Sequence, residues 1–190
     1  MDLATTLEEC REEAFRRLAR GVADRRSAFH TPTLATIGAD GAPEARTLVL
    51  RGFEAATRTL RLHTDARSGK VAELAADPRC VLHFYDAGAK LQLRLAGRAT
   101  VHDGDAVADA AWAATRDFSR MIYAIEPAPG TPIAAPVAAP RDATAGRAAF
   151  RVILLRVARL EWLELAASGH RRARFAWDDA GVLSSTWLVP

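Results

Sequence analysis

Between His63 and Lys70 the chain reads His-Thr-Asp-Ala-Arg-Ser-Gly-Lys. Thr64 and Ser68 supply hydroxyls and Lys70 an ammonium, just where a short helical pattern, GKVAELAAD, begins. The first turn of a helix leaves backbone N–H groups unpaired, so such a start suits an anion. Arg46, at the head of the preceding alternating segment, adds a guanidinium able to grip an oxyanion with two hydrogen bonds. Together these residues suit a phosphate-bearing ligand. Ser68 taken alone is equally a plain N-cap.

These groups need a platform, and the surrounding pattern provides one. TLATIG, ARTLVLRGF, TLRLHTD, CVLHFYD and KLQLRLAGRATVH alternate apolar and polar residues, as half-buried strands do. ARTLVLRGF reads as one strand, with Leu48 and Leu50 on one face and Thr47, Val49 and Arg51 on the other. FRVILLRVARLEWLEL is a long further strand, and RARFAW and STWLVP complete the sheet. Helices are expected over about 6–22, where Thr5 with Glu8 or Thr6 with Glu9 fits a capping box, and after Asp105. Asp77-Pro78 ends the helix that follows Ser68. The segment from about 126 to 148 is rich in Pro and Ala, and a loop of that length is a lid, a partner contact or disorder. Strands at short spacing with few helices imply an antiparallel barrel, mainly β, six- to seven-stranded with flanking helices, in one domain spanning 1–190.

Composition narrows the function classes. The chain has 190 residues, 49% hydrophobic and 26% charged, as in a folded globular protein. The start, MDLATTLEEC, is acidic where a signal peptide is basic, so a cytoplasmic protein away from the membrane is expected. Cys10 and Cys80 lack metal-ligand spacing and are read as buried thiols. The isoelectric point near 9.3 suggests nucleic acid, but the formal charge is only +3 and no long basic run exists. No P-loop, dinucleotide fingerprint, HExxH or nucleophile elbow is present, and the five histidines have no zinc spacing.

The order R46-T-L-V-L-R51, H63-T64, S68-G-K70, Q92-L-R-L-A-G97, W162 and G169-H-R-R-A-R-F175 resembles the pyridoxamine-phosphate-oxidase-like flavoproteins, the split-barrel FMN family, over about Thr33 to Phe175. Y123-A-I-E-P-A-P-G130 is similar to an uncharacterised bacterial branch. The resemblance implies that FMN is held at its phosphate by Arg46, Thr64, Ser68 and Lys70, with His63 beside them. It implies that Thr47, Leu48, Val49, Leu50 and Arg51 line the ring, that Gln92 bonds its polar edge, and that Trp162 with Arg172 or Arg174 reaches it from the C-terminal part. It further implies a homodimer with FMN at the subunit interface and flavin-mediated hydride transfer on a small substrate, with Arg116 and His170 as weaker substrate contacts.

The chain departs from that pattern. Gly69 stands where the family usually has arginine, and Arg67 is the expected compensation. Arg51 stands where the pyridoxamine oxidases have lysine, and their Arg-x-His is replaced by His170-Arg171-Arg172. Arg116 and Ser119 or Arg120 match the substrate-phosphate region only loosely. A non-enzymatic flavin or haem carrier and a nucleic-acid-binding barrel are the alternative readings.

Overall fold

The computed structural model describes residues 6–138, 140–167 and 169–190. Helix α1 (Leu7–Ala23) is capped by Thr6, whose hydroxyl accepts from the Glu9 N–H while the Glu9 carboxylate accepts from the Thr6 N–H. Of the two possible capping boxes, this is the one formed. Its stripe of Cys10, Ala14 and Leu18 is fully buried against the sheet. Both cysteines are buried free thiols, and burial pushes each up to about 12.

Nine strands form one antiparallel sheet: β1 (Thr33–Ile37), β2 (Pro43–Thr47), β3 (Leu50–Glu54), β4 (Thr59–Asp65), β5 (Arg79–Asp86), β6 (Leu91–His102), β7 (Phe150–Glu164), β8 (Arg171–Trp177) and β9 (Leu183–Leu188). The mainly β class with flanking helices is as expected; the strand number is higher, partly because ARTLVLRGF is two strands. The chain leaves β2 at Thr47, the Leu48 N–H bonds Pro32 O at 2.9 Å, and β3 starts at Leu50. Leu50 is buried as expected, whereas Leu48 is only half-buried.

The strand path is β2-β1-β5-β6-β7-β4-β3, so β2 and β3 stand at opposite ends yet are joined by two residues. Seven strands laid flat span about 29 Å at ~4.8 Å each, whereas a link from Thr47 to Leu50 reaches only about 11 Å. The sheet is therefore rolled. The split arises on β7, which pairs with β4 over its first half and β8 over its second, while β6 follows it on the other side. Between those halves the register of β6 shifts at Ala96/Gly97. A Cβ on Gly97 would stand 2.0 Å from Arg156 O, so only glycine fits this bulge.

Helix α2 (Gly69–Ala76) ends at Asp77, before the proline, and tucks Leu74 into the main core. Helix α3 (Ala106–Ala114) is capped by Asp105, and with Phe150, Val152 and Tyr123 it forms a second, smaller core on the outer side of β4 and β7. A short α4 (Asp117–Arg120) follows. From Ile125 to Gly146 the described residues form turns and bends, without helix or strand. No helix among the described residues is long and apolar enough to cross a membrane. Gly97→Ala should lower stability by roughly 1–3 kcal/mol, the cost of forcing an atom into a packed site, read as a drop in the denaturant midpoint; an unchanged midpoint would show that the bulge yields.

Candidate functional site

Ser68 lies at the N-cap of α2, yet its hydroxyl does not cap the helix. It accepts a hydrogen bond from Lys70 Nζ at 2.8 Å, leaving the amides of the first turn to other partners. Ser68 and Thr64 are both buried, 9% and 4% exposed. Arg46 sits on the core-facing side of β2, opposite Leu34, and reaches α2. Its guanidinium donates to Glu73 Oε2 at 2.8 Å and to the Thr36 hydroxyl, which itself donates to the same carboxylate. Glu73 thus orients Arg46. Burial lowers the pKa of Lys70, the Arg46 charge lowers it further, and Glu73 and Asp65 oppose both. The cluster has donors for a dianion and a lysine that an anion would stabilise in its charged form.

Arg67 is spent elsewhere. It donates to both oxygens of Asp65 at 2.9 and 2.7 Å, to Glu126, and to the carbonyls of Tyr123 and Ile125. The expected compensation for Gly69 is thereby corrected: Arg67 ties the end of β4 to the start of the Pro/Ala segment.

A second group lies on the outer face of β4. A cavity of about 450 Å³ is bordered by Val49, Leu50, Arg51, Arg61, His63, Arg116 and Phe118, with Ala111 of α3 above. His63 packs edge-on to Phe150, ring centroids 4.8 Å apart, and its buried Nε2 has no hydrogen-bond partner. Burial, with the Arg51 and Arg61 charges, pushes its pKa down to about 3. This is a neutral imidazole among guanidiniums.

The C-terminal residues form a third group. Across β6, β7 and β8, Gln92 stands beside Leu163 and Arg172, while Arg94, Glu161 and Arg174 form the next row, which continues through His83 and Thr33 to Thr47. Gln92 Oε1 meets His83 Nε2 at 3.1 Å, Arg172 donates to Glu161 at 2.6 Å, and Arg174 is exposed with no ion pair among the described residues. Burial raises the Glu161 pKa, but the Arg172 hydrogen bond and the nearby Arg94 and Arg159 charges outweigh it, and the net shift is downward. This row faces away from the core, so within one chain Gln92, Arg172 and Arg174 lie on the opposite face of the sheet from Arg46.

Trp162 is brought to none of the three groups. Facing the core between Leu93 and Ala173, it is 1% exposed and donates to Glu13 of α1 at 3.2 Å. Its expected reach to the cofactor is corrected on that ground: alternation on β7 places it among buried residues. His170 is exposed just before β8. Sequence reasoning missed Thr36, Glu73 and Arg61; a threonine and a glutamate ten and 27 positions from Arg46 carry no signal until the strands pair.

Comparison with known proteins adds to this geometry. Residues 12–103 match the family described as pyridoxamine 5'-phosphate oxidase, FMN-binding domain. Pyridoxine/pyridoxamine 5'-phosphate oxidase 2 of Arabidopsis thaliana is 38% identical over 106 residues, 52% of this chain and 53% of that protein. The chain thus spans about half the length of that relative. A solved pyridoxamine 5'-phosphate oxidase-related, FMN binding protein from Nostoc punctiforme superposes with a TM-score of 0.80 at 27% identity, covering 100% of both chains. PhzG from Burkholderia lata, solved with tetrahydrophenazine-1-carboxylic acid, gives 0.76 at 18% identity over 100% of this chain and 98% of its own, a likeness of fold.

The His63 environment makes a pH prediction. An unfolded histidine takes up its proton near ~6.5, whereas folded His63 does so near pH 3. Between those values the unfolded chain binds more protons, so stability falls as pH drops from about 6.5 towards 3, by at most about 1.4 kcal/mol per pH unit from this group. His63→Gln should flatten that part of the profile in denaturant midpoints; an identical slope would assign it to other groups.

Proposed function

We propose, from the match of residues 12–103 to the pyridoxamine 5'-phosphate oxidase, FMN-binding domain family and from the rolled antiparallel sheet, that this chain binds FMN and works as an oxidoreductase on a small substrate. One observation carries the reading: the buried Ser68 hydroxyl is turned away from helix capping and held at 2.8 Å by Lys70, beside an Arg46 fixed by Glu73. This donor set fits a phosphate, combining two cations, a hydroxyl and first-turn amides. Bound there, FMN supplies the hydride chemistry of its ring.

The chain's own residues bind, orient and exclude water. In this reading Lys70, Ser68 and Arg46 hold the phosphate, helped by the buried Thr64 hydroxyl. Val49, Leu50 and Arg51 border the cavity beside His63, where a substrate is seated among guanidiniums. Neutral His63 offers a hydrogen bond without adding charge.

The functional unit in this reading is a homodimer. Gln92, Arg172 and Arg174 project from the outer face, so they approach a cofactor on the opposite side only when a second copy presents that face. Trp162 belongs to the core that supports β7.

Purified protein should be yellow, or should quench FMN fluorescence on titration; a colourless protein that leaves added FMN unquenched would end this reading. Lys70→Ala and Arg46→Ala should each weaken FMN by about 1.5–3 kcal/mol, the scale of a hydrogen bond to a charged group. Because Lys70 grips phosphate only when protonated and its pKa is lowered, affinity should fall at alkaline pH. Lys70→Arg should bind without that fall, since arginine stays charged; the same alkaline loss in both proteins would place the titrating group elsewhere.

A further inference from the structure

The cavity beside His63 does not end at Arg51. A second cavity of about 980 Å³ adjoins it, sharing Val22, Arg51 and Arg61, and runs along the β3–β4 hairpin past Arg58, Arg156 and Leu154 to Gly181. On this outer face of β4, His63 and Arg61 follow one another, and Arg156 stands opposite Thr59. Alternate residues of a strand are about 7 Å apart, so cationic or hydrogen-bonding groups recur at that interval along the floor.

Arginine is common in this chain, so its presence alone says little; its pairing is what discriminates. Most arginines form ion pairs with carboxylates, among them Arg17, Arg46, Arg67, Arg79, Arg171 and Arg172. Six that pair with no carboxylate among the described residues, Arg25, Arg51, Arg58, Arg61, Arg116 and Arg156, line these two cavities. Their linings contain one acid, Glu54. The Nε atoms of Arg58 and Arg61 are buried without a hydrogen-bond partner, as is His63 Nε2. Burying donors unpaired costs free energy that an incoming acceptor returns.

We propose that the two cavities form one cationic channel whose ligand is an extended polyanion, with one oxyanion group in the pocket beside His63 and another farther along, between Arg58 and Arg156. This deepens the reading above, naming the substrate class of the same site: a small molecule with at least two separated anionic groups and an apolar or planar body against Phe118, Val49 and Leu50. Phosphate and carboxylate share the chemistry guanidinium recognises, two acceptor oxygens in one plane.

Equilibrium binding at fixed ionic strength tests this. Inorganic phosphate, tripolyphosphate and citrate are titrated against the full chain with and without saturating FMN, and against Lys70→Ala, which removes the loop cation as a rival site. Tripolyphosphate should bind at least about tenfold more tightly than phosphate, since added charge-assisted bonds act together. Arg156→Glu, at an exposed position, should erase most of that gain while moving FMN affinity less than about twofold, and Arg25→Gln should lower it in part. Citrate matching tripolyphosphate assigns the channel to carboxylates, and weaker citrate binding assigns it to phosphates. Equal affinity for phosphate and tripolyphosphate, or an unchanged gain in Arg156→Glu with an unaltered melting temperature, overturns the proposal. So does displacement of tripolyphosphate by a lower concentration of single-stranded oligonucleotide, which would make the channel a nucleic-acid site. If the protein takes no FMN yet keeps an Arg156-dependent gain, the flavin reading fails and the channel stands.

Discussion

Two residues, Leu48 and Val49, connect the strands at the two ends of the sheet's path, and this short tether governs the architecture. It obliges the sheet to roll until β2 and β3 approach. In doing so it carries Arg46 on β2 towards the start of α2 and Arg51 on β3 towards the cavity beside His63. The rolling needs local bending, which the bulge at Gly97 supplies in the middle of the longest strand pair. Below it β7 holds β4, and above it β8. The cluster around Lys70, the cavity and the outer row of arginines are thus three consequences of one closure, set on separate surfaces of a single sheet.

Electrostatics then sorts these surfaces. Each well-buried carboxylate is matched to guanidinium: Glu73 to Arg46, Asp65 to Arg67, Glu161 to Arg172 and Glu164 to Arg171. Such pairs place a side chain more than they add stability, because desolvation offsets much of the attraction. The effect on function is therefore positional. Arg46 is aimed, Arg67 is turned away from the start of α2 to anchor the residues around Glu126, and the outer row is knitted together around Glu161. Among the described residues, the cations left without a carboxylate include Lys70, with its proton made less secure by burial, and the guanidiniums around the cavities.

Much of the fold was legible because period and punctuation report local physics. Alternation marked the strands, a Thr-x-x-Glu spacing from Thr5 or Thr6 marked the start of α1, Asp105 the start of α3 and Asp77-Pro78 the end of α2. The break between β2 and β3 was not, because a strand-like pattern continues from Arg46 to Phe53 with neither glycine nor proline before Gly52. Only the pairing of β2 with β1 and β3 with β4 shows that the chain changes partners there. In the candidate site, the grouping of Ser68 with Lys70 at a helix start was legible from the sequence. The roles of Arg67 and Trp162 were not: each depends on a partner more than 50 residues away, Glu126 for one and Glu13 for the other.

The same limit explains why a cationic residue's type says less here than its surroundings. In a chain whose positive charge is nearly all arginine, motif matching finds candidates everywhere, and Arg172 and Arg67 match as well as Arg46 does. The structure separates them by what already occupies their donors. Arg67 has two carboxylates and two carbonyls, Arg172 has Glu161 on the outer face, and Arg46 has Glu73 and Thr36, with Glu44 at 3.9 Å, beside the start of α2. A guanidinium satisfied on every side is scaffolding. One oriented by Glu73 and Thr36 beside a helix start, a buried hydroxyl and a lysine is placed to exchange water for an anion at small entropic cost, since its orientation was set when the sheet rolled.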